Sequence, residues 1–284
     1  MSEIWTILRV LTWTQGKFTE RGIATARLDA ELLLAHVLKK DRIALYTHFD
    51  QPLAADELAS YRELIKQRLS GKPIAYLTGR KEFRSLELQV DARVLIPRPD
   101  TETLVEVALE FLDRKVAPRV VDIGTGSGAI ALAIKKARPD AEVMMIDRSL
   151  DALTVARENA RRLALDVRGE EGDLLSGVAE RFELIVSNPP YIPTAQIVTL
   201  SAEVRSEPMA ALDGGADGLD LIRRLSVQAL SRLVAGGALA MEIGAGQADE
   251  VRAILLRSGF ESPESRRDLG GIDRVIWARS KVAV

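Results

Sequence analysis

Residues 182–191 read FELIVSNPPY, an apolar strand-like run that ends in Asn188, Pro189, Pro190 and Tyr191. Two consecutive prolines remove two backbone donors directly after a buried strand, so the ladder stops and a stiff, acceptor-rich edge remains. The Asn188 side-chain oxygen and the Pro189 carbonyl can point at one place and accept both hydrogens of a planar NH2 group. Tyr191 offers a flat face on which that group can stack. An amide or aryl amine is a poor nucleophile because its lone pair is delocalised. Holding both N–H bonds, with the lone pair aimed at the methyl of a sulfonium, favours in-line displacement by positioning and electrostatics. Once methylated the nitrogen is acidic and sheds a proton readily, so no strong base is needed. A bare proline-rich strand terminator is the plainer reading, and it leaves the neighbouring motifs unexplained.

Residues 122–128, DIGTGSG, fall between the strand RVVDIG and the helix GAIALAI, where open parallel sheets bind ligands at the carboxyl ends of their strands. Gly124, Gly126 and Gly128, with Thr125 and Ser127 between them, permit tight turning and close approach of a ligand. The spacing departs from the dinucleotide fingerprint GxGxxG, whose third slot here is Ala129; because that slot can be Ala, nicotinamide binding stays open on spacing alone. The next strand, AEVMMID, ends in Asp147, about 20 residues past the first glycine, where a carboxylate can accept from both ribose hydroxyls of an adenosine, in NAD and S-adenosylmethionine alike. A helix N-terminal acid is the alternative, although Ser149 and Asp151 are better cap candidates. Asp173, in GDLL after a third strand, can approach an adenine amine with Leu174 lining the base, or can simply turn the chain.

These motifs need elements to hold them. Before residue 80, apolar residues recur at three- and four-residue spacing in EIWTILRVLTWTQ, ARLDAELLLAHVLKK and ADELASYRELIKQRL, which predicts helices, the last ended by Gly71 and Pro73. Phe83, Leu86, Leu88 and Val90 then alternate and lead into VLIP at 94–97, which reads as a short hairpin between domains. From Thr101 onward helix and strand patterns alternate to the end, which predicts an α/β domain with a mainly parallel sheet covered by helices on both faces. The last two strands, around SRRDL and DRVIWAR, are joined only by GGI and must be antiparallel. The expected division is a helical domain over 1–80, a hairpin linker over 81–100 and the α/β domain over 101–284.

The 284 residues are 47% hydrophobic and 28% charged with net charge −2, which excludes a disordered chain and gives no general drive toward nucleic acid. Zero cysteines and two histidines, His36 and His48, remove disulfides, thiolate metal sites and cysteine nucleophiles. No metal site is expected, and both histidines read as packing or surface residues. No apolar run approaches the roughly 18 residues of a membrane span, and the start MSEIWTILRVL carries Glu3 instead of a basic leader, so a cytoplasmic location is expected.

Taken together, the motifs resemble those of the class I S-adenosylmethionine-dependent methyltransferases, and within them the release-factor glutamine N5-methyltransferases of the HemK/PrmC family. NPPY alone is shared with amino-methyltransferases of nucleic-acid adenine and cytosine. The finer resemblance rests on PIAYLTGRKEF at 73–83, VLIPRPDTE at 94–102, DIGTGSGAIALA at 122–133, SNPPYI at 187–192, EPMAALDGGADGL at 207–219 and MEIGAGQ at 241–247. With the helical N-terminal region these cover nearly the whole chain. Asp100 is a departure, since the family's PRPETE often has Glu there.

The resemblance implies a Rossmann-like, seven-stranded methyltransferase domain behind a small all-helical domain that helps dock the partner. It implies that Gly124, Thr125, Gly126, Ser127, Gly128 and Asp147 hold S-adenosyl-L-methionine, with Asp173 and Leu174 near its adenine. Asn188, Pro189, Pro190 and Tyr191 then orient the substrate, with Asn188 also beside the cofactor. The implied substrate is the glutamine of the GGQ loop in class 1 peptide chain release factors, methylated on its side-chain nitrogen with S-adenosyl-L-homocysteine as product. The competing reading is a nucleic-acid amino-methyltransferase that flips a base into the same pocket. It calls for a basic face, whereas Arg161 with Arg162 and Arg266 with Arg267 are scattered. A non-catalytic nucleotide sensor has no use for NPPY.

Overall fold

The computed structural model describes residues 4–281, which fall into two compact units. The first holds the chain up to Gly79 together with Ser201–Ser206, and the second holds Arg80–Leu200 and the chain from Glu207 onward.

The first unit is helical: α1 (Ile7–Glu20), α2 (Ala26–Leu38), α3 (Arg42–Thr47), α4 (Ala55–Leu69) and α5 (Ile74–Thr78). Two of these are absent from the periodicity reading. Asp41 starts α3 by accepting from the Ala44 N–H at 2.7 Å. Pro73 does not merely end the helical run; it is the N-cap of α5, where its missing donor costs nothing. Ile7, Phe18, Leu33, Leu34 and Ile65 form the apolar core. Through it runs an ion pair between two side chains that are each only 3% exposed, Arg68 Nε to Asp29 Oδ2 at 2.7 Å. A second nitrogen of Arg68 reaches Glu203 at 2.6 Å, and Glu203 lies on the later helix of this unit, Ala202–Arg205.

The second unit opens with the hairpin β1 (Arg80–Phe83) and β2 (Leu86–Gln89). The expected extension through VLIP is instead a loop: Asp91 turns the chain by accepting from the Arg93 N–H, and Pro97 and Pro99 lack donors for a ladder. There follow α6 (Glu102–Leu112), β3 (Arg119–Ile123), α7 (Ala129–Ala137), β4 (Glu142–Asp147), α8 (Leu150–Arg162), β5 (Arg168–Glu171) and β6 (Phe182–Ser187). After the helix Ala202–Arg205, which is α9, come α10 (Asp220–Arg232), β7 (Leu233–Glu242), α11 (Ala248–Arg257), β8 (Glu261–Arg267) and β9 (Asp273–Arg279).

These strands make a seven-stranded sheet in the order β5-β4-β3-β6-β7-β9-β8, in which β9 alone runs against the others and so pairs antiparallel with both β7 and β8. The apolar runs of the strands are explained by burial on both sides. The register row Val120, Val143, Leu184 and Ala238 packs into the layer built by α6, α7 and α8. The next row, Val121, Met144, Ile185 and Leu239, packs into the layer of α10 and α11. The chain leaves β3 first toward β4 and β5 and later toward β6 and β7, so the order reverses at β3, the kind of switch point where ligands bind.

The Arg68–Asp29 pair carries a stability prediction. Asp29→Ala strands a buried guanidinium that keeps only Glu203 and the Lys72 carbonyl. Chemical denaturation should show a loss of about 3 kcal/mol, the low end for breaking a buried pair because Glu203 remains.

Candidate functional site

Register alone brings the sequence-selected residues into one row. Ile123 pairs with Ile146 on one side and Ser187 on the other, and Ser187 pairs with Met241. The residues one step further along these strands are Gly124, Asp147, Asn188 and Glu242. Neighbouring strands lie about 4.8 Å apart, so four residues distant in sequence share one strip. The Ser187 hydroxyl donates to the Ile123 carbonyl at 2.8 Å and ties the two central strand ends together.

The glycine loop turns directly off β3. Gly124, Gly126 and Gly128 all have positive φ, at 70°, 56° and 84°, a region that L side chains rarely adopt. The reasons for the glycines differ beyond that. A Cβ on Gly124 or Gly126 would meet nothing within 4 Å, which leaves an open face over the backbone, whereas one on Gly128 would come within 3.1 Å of Leu132. Asp147 holds the loop: its two carboxylate oxygens accept from the Gly126 N–H and the Ser149 N–H, each at 2.9 Å. Ser149, not Asp147, caps α8 by accepting from Ala152. A carboxylate has about four acceptor positions, so Asp147 retains capacity for further donors.

A cavity opens above this row. It is lined by Gly124 to Ser127, Asp147, Asn188 and Pro190, and by Thr101, Arg98 and Ile130 among others. Gly128 sits beneath it in packing contact, and Pro189 is buried. Tyr191 does not line this cavity. Its ring lies against Gly244, and its hydroxyl donates to Glu242 Oε1 at 3.1 Å. Asp173 and Leu174 also lie off the lining: Asp173 pairs with Arg224, and Leu174 is buried with φ at +57°.

Four residues outside the expected set complete the site. Asn159 on α8 donates to the Ser127 and Gln89 carbonyls, at 2.9 and 3.0 Å, and accepts from the Gln89 N–H at 2.7 Å, which fixes the far end of the glycine loop. Thr101 accepts from Asn188 Nδ2 at 3.2 Å, leaving the Asn188 oxygen free of that contact. Glu207, 5% exposed, pairs with Arg98 and accepts from the Ile96 N–H at 3.0 Å, which holds the loop over 94–98 at the cavity wall. Glu242 is the fourth. The sequence carried a signal for it, since it is a lone acid closing the apolar strand ALAMEIG.

Asp122, wholly buried under the loop, accepts from the Thr125 hydroxyl at 2.7 Å and the Ala131 N–H at 3.3 Å, but its Oδ1 has no partner. Burial pushes its carboxyl up to about 7, only partly offset by the Thr125 and Ala131 bonds and reinforced by the nearby Asp147 charge. An unsatisfied acidic oxygen below an open glycine backbone suits a positively charged ligand in this cavity. Glu242, 1% exposed, is also raised above the ordinary carboxyl range by burial, against hydroxyls of Thr101 and Tyr191 that favour its charged form.

The chain is similar to known proteins over most of its length. Residues 9–79 match the PrmC N-terminal domain and residues 100–206 the methyltransferase small domain. The chain is 46% identical over 279 residues to the release factor glutamine methyltransferase of Geobacter sulfurreducens, covering 98% of each chain. It is 44% identical to the protein of the same name from Deinococcus radiodurans, covering 95% of this chain and 97% of that one. Among solved structures, a methyltransferase from Pyrococcus furiosus aligns with TM-score 0.52 at 18% identity, over 69% of this chain and 90% of that one. The 16S rRNA N2 G1207 methyltransferase of T. thermophilus, in complex with AdoMet and guanosine, aligns with TM-score 0.52 at 18% identity, over 71% and 50%. These two similarities establish the class I methyltransferase fold.

The buried acid under the loop sets a pH test. Because the Asp122 carboxyl titrates higher when folded than its ordinary value of 3.8, the folded state binds more protons between those values, and stability falls as pH rises through that window. Asp122→Asn has no such titration. The stability of this variant relative to wild type should therefore grow from about pH 4 to about pH 7, by up to about 4 kcal/mol, and level off above. Denaturant titrations across that range check it; a flat difference would contradict the shift.

Proposed function

The chain belongs to the release factor glutamine methyltransferase family and is a methyltransferase, and from that premise we propose the substrate and the roles of the site residues. The acceptor is the side-chain amide nitrogen of the glutamine in the GGQ motif of class 1 peptide chain release factors, and the donor is S-adenosyl-L-methionine. Full-length similarity to relatives of that name favours this reading over a nucleic-acid amino-methyltransferase. The observation that carries the chemistry is the orientation of Asn188: its nitrogen is engaged by Thr101, so its oxygen is the end left to accept an N–H.

The residues present fit the donor. Gly124 and Gly126 supply an open backbone face, Asp147 supplies acceptor capacity for ribose hydroxyls, and the buried Asp122 beneath the loop keeps one oxygen unpartnered. Asp173 and Leu174 would border the adenine. Bound there, S-adenosylmethionine supplies a methyl group on a positively charged sulfur that leaves as a neutral thioether, S-adenosyl-L-homocysteine.

The chain's own contribution is orientation. Asn188 Oδ1 and the Pro189 carbonyl, which accepts no backbone hydrogen bond among the described residues, each take one amide N–H, and the two fix the plane of the carboxamide. Pro190 keeps the strand end rigid, and Tyr191, tethered through its hydroxyl to Glu242 with its ring against Gly244, braces that end from outside the cavity lining. With the donor bound, the amide nitrogen held in this way would take the methyl group, and the proton it then sheds would pass to water. Two acceptors aimed at N–H bonds that grow more acidic in the transition state stabilise it more than the ground state.

Methyl from labelled S-adenosylmethionine should appear on purified release factor and vanish when the GGQ glutamine is replaced by Ala; persistent labelling would overturn the substrate assignment. Asn188→Ala should lower kcat by about 100-fold or more while calorimetric affinity for S-adenosylmethionine stays within about threefold. Equal losses in both would place Asn188 on the cofactor side only.

A further inference from the structure

An asparagine carboxamide is ambiguous at its tip. Half a turn about its last torsion exchanges an acceptor for a donor, and a donor aimed at an incoming NH2 group would repel it. Which end of Asn188 faces the substrate is therefore decided by what holds the other end. Here Nδ2 donates to the Thr101 hydroxyl oxygen at 3.2 Å. A hydroxyl that accepts in this way must send its own hydrogen elsewhere.

The neighbouring group that can take it is Glu242. The two are electrostatically coupled, with the Thr101 hydroxyl favouring the charged form of the acid. Glu242 closes β7 one residue beyond the Ser187–Met241 pair, which puts it on the strand beside Asn188. Its Oε1 accepts from Tyr191 and its Oε2 has no partner. Burial raises the Glu242 pKa, and the half-buried Arg274, held by Asp268 at 3.1 Å and Asp100 at 3.3 Å, is the nearby positive charge that opposes this and favours its ionised form. A carboxylate only accepts, so the Tyr191 hydroxyl hydrogen runs to Oε1, and the unpartnered Oε2 is the acceptor left for the hydrogen that Thr101 must send elsewhere. Burying an acid with one oxygen unsatisfied costs free energy.

We propose that Thr101 and Glu242 are positioning residues for the methyl transfer, the Glu242 carboxylate setting the direction of a hydrogen-bond chain through Thr101 to Asn188 that keeps Asn188 Oδ1 toward the substrate amide. The proposal rests on the amide-methylation reading and assigns that site its control of orientation. The same carboxylate anchors Tyr191, so one buried charge orients both polar members of NPPY. Neither residue touches the reacting atoms.

The test uses the full chain, S-adenosylmethionine and purified release factor, with wild type assayed first. Thr101→Val keeps the shape and removes the acceptor for Asn188; Thr101→Ser keeps the hydroxyl; Glu242→Gln keeps the shape and adds a donor that can reverse the chain. Thr101→Val and Glu242→Gln should each lower kcat by about 10- to 100-fold, the range for groups that orient a first contact. KM for the release factor and affinity for S-adenosylmethionine should stay within about threefold, and Thr101→Ser should recover most of the wild-type kcat. A folded Thr101→Val with wild-type kcat, a loss shared equally by Thr101→Ser, or a change confined to KM would overturn the proposal. If Glu242→Gln does not fold, the Thr101 pair decides alone. Wild-type protein inert toward the release factor would instead overturn the substrate reading, and the positioning role with it.

Discussion

The site depends on the register of parallel strands. Because Ile123 pairs with Ile146 and Ser187, and Ser187 with Met241, the chain must emerge from four strands at one level, at the place where the strand order reverses. A slip of one residue on any strand would exchange its buried side chains from one helical layer to the other, and the continuous apolar rows through Val120 and Val121 forbid that. The cores on the two faces of the sheet thus align Gly124, Asp147, Asn188 and Glu242, none of which belongs to either apolar cluster. The rigidity needed for orientation chemistry comes from packing against both faces of the sheet, and the loops add only the last ångströms.

Those last ångströms are set by polar groups that a purely stabilising design would omit. Asn159 uses three hydrogen bonds to bind the glycine loop to β2, Asp147 spans the loop and the start of α8, and Glu207 fastens the cavity wall over 94–98. Asp122 and Glu242 are different, since each is buried with one oxygen left over. The surrounding apolar layers offset the cost of these two unpartnered oxygens. Both acids stand next to the motifs proposed to handle donor and acceptor, one under the glycine loop and one beside NPPY.

Much of this was legible in the sequence. Alternating apolar runs from Thr101 onward specify the sheet because strands buried on both faces leave a strong signal, and the three-residue GGI link forces the antiparallel edge. Glycine spacing, Asp147 and NPPY could be read because each needs a particular backbone or donor-acceptor chemistry. The short helices α3 and α5 were not legible, being too brief for periodicity and dependent on the caps at Asp41 and Pro73. Nor were the partners of Thr101, Asn159 and Glu207, because a polar residue looks alike in sequence whether it faces water or a partner 70 or 100 residues away, whereas Glu242 stood out as the lone acid closing an apolar strand. The Tyr191 hydroxyl was equally hidden: its ring suggested stacking, while its bond to Glu242 emerges only from the pairing of β6 with β7.

On the proposed reading, a strand end with fixed acceptors orients an amide for attack. A crystal structure of the chain bound to release factor and S-adenosyl-L-homocysteine tests it most directly. The glutamine side-chain nitrogen should lie about 3 Å from Asn188 Oδ1, with Asn188 Nδ2 still on Thr101. A glutamine held elsewhere, or an Asn188 carboxamide turned to present its nitrogen, would contradict it.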